Sequence, residues 1–174
     1  KNNKCISISE LVENTSIKYV LSRHPDTNEH IYSKIIRRFK SELSPKQKWI
    51  DIVLTLHNTS THMAISTTLT TTNNHKIWTF KGYKSAEKLK PGDLLLWHME
   101  HGLHSNRFST AIVVRIKPSE CKDKYRYNIE VEDSHNYFAN GILVSNCHHT
   151  PADTVYDIAK HIESEYVFGL SATA

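Results

Sequence analysis

From Ile17 to Val144 apolar residues recur with a period close to two, in short runs cut by turn-forming residues. The clearest run is Trp49 to Leu56, where Ile50, Ile52, Leu54 and Leu56 alternate with Asp51, Val53 and Thr55. Ile31, Ile35 and Phe39 punctuate a stretch of Arg and Lys, and Met63 to Thr72 is rich in β-branched residues. Ile77 to Phe80, Leu94 to Met99, Phe108 to Ile116, Tyr125 to Val131 and Ile142 to Val144 continue the series. Between them lie His24-Pro25-Asp26, Asn73-Asn74, Lys81-Gly82, Pro91-Gly92-Asp93, Pro118-Ser119 and Asn140-Gly141, the chemistry of tight turns. This pattern predicts an all-β fold, with one helical turn over Ser85 to Leu89.

Beyond Cys147 the pattern changes. Thr150-Pro151-Ala152-Asp153 has the residues of a helix start, and Val155, Ile158, Ala159 and Ile162 then fall on one helical face. Tyr166 to Leu170 returns to strand character. A β-domain thus abuts the beginning of an α/β unit with no linker, as expected if one had been inserted into the other.

Composition adds bounds rather than a function. A net charge of +4 over 174 residues is too weak and dispersed to argue nucleic-acid binding by itself. No apolar run approaches the roughly 18 residues of a membrane span, and no secretory signal is visible, so the expectation is a cytoplasmic monomer. The chain starts at Lys1 rather than Met, as a fragment would. Cys5, Cys121 and Cys147 form a poor disulfide framework. The 12 histidines are scattered, without the paired spacing of a structural zinc site, so no metal is expected.

The stretch Tyr127-Asn128-Ile129-Glu130-Val131, then His135, Tyr137-Phe138-Ala139-Asn140-Gly141, Ile142-Leu143-Val144, Ser145, Asn146 and Cys147 resembles the C-terminal splicing motif of inteins, the Hint class of protein-splicing elements. The resemblance implies a flattened β horseshoe with its termini close together. It also implies a chain that acts in cis, once, cutting and joining its own flanks without a cofactor. An asparagine amide can reach its own backbone carbonyl, close a succinimide and break the following peptide bond. Amide nitrogen is a poor nucleophile, so the step needs positioning, stabilisation of charge on the carbonyl oxygen and a proton for the leaving amine. In the resemblance Asn146 cyclises, His135 is the acid/base and the Cys147 thiol receives the upstream segment as a thioester. Ser145 stands where the family usually has histidine. Its hydroxyl can bond a carbonyl but cannot supply a proton as imidazole does. Asn128 stands where the family has an acidic residue.

Upstream, Leu69-Thr70-Thr71-Thr72-Asn73-Asn74-His75, with the following Ser85 to Leu95, resembles the family's Thr-x-x-His motif, with Thr72 and His75 at the matching positions. The resemblance places them at the upstream junction, where a peptide bond with a rotation barrier of about 18–20 kcal/mol must become reactive. The segment Ile6 to Glu13 resembles the strand and Glu-Leu-Val-Glu stretch inside the family's fold. This favours a first nucleophile upstream of Lys1, with Cys5 as the alternative. No segment from Asp93 to Tyr127 is long enough for a homing endonuclease, as in a mini-intein.

Finally, Cys147-His148-His149 followed by Ser171-Ala172-Thr173 resembles a superfamily 2 helicase of the DEAD/DEAH type, in which Asp-Glu-x-His precedes a helix and a strand ending in Ser-Ala-Thr. The expected division is residues 1–146 as splicing domain and 147–174 as a piece of helicase ATP-binding domain. Cys147, His148, Ser171, Ala172 and Thr173 would carry the helicase motifs. The host would use ATP, Mg²⁺ and nucleic acid. The alternative is a helicase fragment carrying a β-domain insertion that does not splice.

Overall fold

The computed structural model describes residues 6–57, 64–98 and 108–146. A short helix, α1 (Ile8–Glu13), precedes eleven strands: β1 (Tyr19–Arg23), β2 (His30–Glu42), β3 (Trp49–His57), β4 (Ala64–Thr72), β5 (Lys76–Thr79), β6 (Gly82–Ser85), β7 (Leu94–His98), β8 (Phe108–Pro118), β9 (Tyr125–Val131), β10 (Asn136–Ala139) and β11 (Ile142–Ser145). A single 3₁₀ turn, Ala86–Lys88, follows β6. The predicted helix and strand after Cys147 lie outside the described residues.

α1 forms because Ser7 caps it, its hydroxyl accepting the Glu10 backbone N–H at 3.1 Å. The guanidinium of Arg38 then ties the helix to the sheet by donating to the carbonyl oxygens of Leu11 and Ile17. Where the resemblance put a strand leading into Glu-Leu-Val-Glu, the chain is helical from Ile8.

The strands form two antiparallel sheets, one of three strands in the order β1-β2-β9 and one of eight strands running β10-β11-β5-β7-β8-β3-β4, with β6 paired to β5. The period-two runs explain the core. Ile52 and Leu54 of β3, Ile77 of β5, Leu95 of β7, Ile129 and Val131 of β9, and Ile142 and Val144 of β11 are essentially without solvent contact. Each such side chain stabilises the fold by about 1.5–3 kcal/mol relative to exposure.

The predicted Asn140-Gly141 turn closes the β10–β11 hairpin, both residues having positive φ. Gly141 cannot be replaced by a larger residue without a clash, because a Cβ there would come within 2.6 Å of the Trp97 Nε1 and 2.8 Å of the His98 carbonyl oxygen. The hairpin is docked on β7 through the His98 N–H, which donates to the Gly141 carbonyl at 2.7 Å. The eight-stranded sheet curls until its outer strands approach each other: the Asn140 side chain on the β10 hairpin donates to the Thr68 carbonyl of β4 at 3.3 Å.

Candidate functional site

Between the outer strands of the large sheet and the face of the small one lies a cleft of about 420 Å³. β4 supplies Leu69 to Thr72, β10 supplies Tyr137 and Ala139, β2 supplies Phe39 to Ser41, and β9 supplies Arg126 to Asn128. Ile8 and Val144, near the two ends of the described chain, both border it. Among the described residues β4 pairs with no strand but β3, so from Leu69 to Thr72 its other edge borders this cleft without a partner strand.

Thr72 and His75 are brought together here, as the sequence led one to expect. Thr72 ends β4, is 7% exposed, and its carbonyl accepts the His75 backbone N–H at 3.0 Å. The turn between them is braced from outside. The Asn73 amide donates to Glu87 at 2.8 Å and accepts from the Lys48 N–H at 3.0 Å, and the Ala86 N–H donates to the His75 carbonyl at 2.8 Å. The stretch after the histidine thus fixes the histidine's backbone. Burial pushes the His75 imidazole down to about 4, so near neutral pH the ring is uncharged. It can accept a proton or donate its one N–H, but it does not act as an imidazolium.

Asn146 lies at the end of β11 and has no solvent exposure. Its amide is satisfied when the nitrogen donates to the His135 carbonyl at 2.7 Å and the oxygen accepts the Val131 N–H at 2.9 Å. Its backbone N–H also donates to the His135 carbonyl, at 3.1 Å. The Ser145 hydroxyl donates to the Asn146 carbonyl oxygen at 3.0 Å, the carbonyl of the Asn146–Cys147 bond. Two strands place this residue. Asn136 pairs with Ser145 on one side, and Val144 pairs with Ile77 on the other.

The expected sites are therefore only partly brought together. His75, Thr72 and Asn128 share the cleft, and Asn146 sits at the end of the strand that borders it. His135 meets Asn146 through its carbonyl, while the residue as a whole is exposed and does not line the cleft. Asn128 accepts the Tyr137 hydroxyl at 3.0 Å and the Ile129 N–H at 2.9 Å. Cys147, His148, Ser171, Ala172, Thr173 and Cys5 lie outside the described residues.

With this geometry the likeness to solved structures is direct. The fold is that of the inteins. The PabCDC21-1 intein superposes with a TM-score of 0.64 at 19% identity, covering 84% of this chain and 92% of that one. The DnaB intein from Synechocystis sp. PCC 6803 gives 0.58 at 20% identity, with 83% and 88% covered. The DnaX mini intein from Spirulina platensis gives 0.56 at 23% identity, with 78% and 88% covered. No protein-family model and no curated protein matches the chain. In these three superpositions 78 to 84% of the chain shares the intein fold, the all-β fold that the junction motif implied. No helix among the described residues is long and apolar enough to cross a membrane.

Sequence reasoning gave no role to Ser33, Ser134 and Asn136. All three lie outside the cleft and are buried polar residues of β2 and of the turn into β10.

Proposed function

We propose that the chain is a protein-splicing element that excises itself by cyclisation of Asn146, with Cys147 as the acceptor nucleophile. The observation that carries this reading is the setting of Asn146. It is a fully buried asparagine at a strand end, its amide fixed on both sides, with a hydroxyl donor on the carbonyl it must attack.

In the reaction a nucleophile preceding Lys1 attacks the carbonyl of the upstream junction and forms a thioester or ester. Thr72 and the neutral His75 assist by hydrogen bonding and proton acceptance. The open edge of β4 supports seating the upstream residues in the cleft as an added strand. The Cys147 thiolate then takes over the acyl group. The Asn146 Nδ2 leaves the His135 carbonyl, loses a proton and bonds to its own backbone carbon. The bond to the Cys147 nitrogen breaks, and that nitrogen gains a proton, His135 serving as acid/base. Charge on the carbonyl oxygen is met by the Ser145 hydroxyl, a role that does not require it to ionise. The freed Cys147 amine finally attacks its own thioester and leaves an ordinary peptide bond.

Residues 147–174 are, on this reading, the start of the downstream host segment, a superfamily 2 helicase. Excision restores an ATP- and Mg²⁺-dependent motif that Cys147 and His148 complete, with Ser171, Ala172 and Thr173 following, and nucleic acid is the host's partner alone. The test is to express the chain extended through its upstream junction and to weigh the products. An excised domain plus a ligated host with Mg²⁺-dependent ATPase activity is expected. An intact, folded precursor would overturn the splicing reading, and a ligated product without ATPase activity would overturn the host assignment.

A further inference from the structure

The turn from Glu132 to Asn136 is unusual in its backbone. Asp133 and His135 both have positive φ, at 61° and 52°, and neither is glycine. Such residues persist only where their surroundings hold them. The surroundings here are polar and buried. The Asn136 side chain, in a residue 5% exposed, donates to the Ser134 carbonyl at 2.6 Å and to the Arg23 carbonyl at 3.0 Å, and accepts the Arg23 N–H at 2.9 Å. Its amide thus pairs with Arg23 as a neighbouring strand's peptide would, at the end of β1. The Ser134 hydroxyl bonds the Ser33 hydroxyl of β2 at 2.8 Å. Both anchors lie in the three-stranded sheet, whereas β10 and β11 belong to the eight-stranded one.

What hangs from this turn is the His135 carbonyl, which accepts both the backbone N–H and the side-chain nitrogen of Asn146. We infer that Asn136 is a positioning residue for cleavage after Asn146. Its two hydrogen bonds to Arg23 suture the two sheets, its bond to the Ser134 carbonyl holds the turn, and together they fix the carbonyl that sets the Asn146 amide. This rests on the splicing reading for its consequence but not for its geometry. Alanine removes all three bonds. Aspartate keeps the acceptor for the Arg23 N–H but turns a carboxylate toward two carbonyl oxygens that need donors.

Two measurements on the 174-residue chain test it. The first is the rate of scission after Asn146 in Asn136→Ala and Asn136→Asp. Leu54→Ala and Ile52→Val, on β3, serve as controls that lower stability without touching the turn. Displacement of a reacting group by about 1 Å can cost on the order of a hundredfold, so the Asn136 variants should cleave about 10- to 100-fold more slowly than a control of matched thermal stability. The second is hydrogen exchange at the Asn146 and Val131 backbone amides before cleavage. Protection at Asn146 should fall about tenfold or more in Asn136→Ala and stay unchanged in the matched control. Equal rates and equal protection in variant and control would overturn the inference. If the parent chain does not cleave at all, the splicing reading fails, and the exchange measurement still decides whether Asn136 positions Asn146.

Discussion

The two halves of the site are built on opposite principles. At the downstream end every polar atom of the Asn146 amide is engaged, by the His135 carbonyl and the Val131 N–H, and no part of the residue meets solvent. At the upstream end Thr72 and His75 stand on the wall of an open cleft beside an unpaired strand edge. The first is a closed arrangement in which the amide is held by its hydrogen bonds. The second is a neutral imidazole beside an open cleft.

The sharpest way to break the comparison is to disable one half alone. In the chain extended through its upstream junction, His75→Ala should lower thioester formation, measured by thiol-induced cleavage, by about 10²–10⁴-fold, the range of a lost acid–base group. Scission after Asn146 should stay within about threefold. Equal losses at both junctions would show that the halves are not separate.

Acid sharpens the contrast thermodynamically. His75 titrates near 4 in the folded chain against about 6.5 unfolded. The unfolded state therefore binds the extra proton first, so stability falls as pH drops from about 6.5 toward 4 and is unaffected above that window. The loss from this group is as much as about 3 kcal/mol, measured by urea unfolding at pH 7 and pH 4. His75→Gln should remove most of that dependence. His30, whose imidazole is pushed down by burial and by His98, adds a dependence of the same sign.

A smaller effect belongs to the downstream half. Ser145→Ala removes the donor on the Asn146 carbonyl and should slow scission about tenfold, which corresponds to about 1.4 kcal/mol. Ser145→His should raise the rate if a proton donor is what the position lacks. A faster Ser145→Ala chain would mean that the hydroxyl restrains the reaction. Least affected should be the downstream rate in Tyr137→Phe, where loss of the bond to Asn128 falls on the cleft and changes scission after Asn146 by less than about threefold.

Much of this was legible in the sequence, and the limits are instructive. β3, β7, β8, β9 and β11 stood out because their apolar residues alternate or run together and are buried in the sheets. β1, β6 and β10 did not. Gly82–Ser85 and Asn136–Ala139 are four residues long, too short for a period to register, and Tyr19 of β1 is 57% exposed. Thr72, His75 and Asn146 were singled out because the motifs they resemble have a fixed order along the chain. That the Ser145 hydroxyl can bond a carbonyl was also legible from its chemistry, and it bonds that of Asn146. The supporting shell was not legible, since Asn136 reaches Arg23 across 113 residues. A side chain that replaces a strand's peptide bonds leaves no local pattern. The contact of the His135 carbonyl with Asn146 was equally hidden, because it belongs to a turn with positive φ that the sequence does not require.

The central claim is tested most directly by the mass of the fragment that ends at Asn146. On incubation the 174-residue chain should break between Asn146 and Cys147, and the N-terminal fragment should be one water lighter than its simple hydrolysis product, the signature of a terminal succinimide. Asn146→Ala should yield neither fragment. Scission that persists in Asn146→Ala, or a fragment at the full hydrolysed mass from the first moments, would contradict the account.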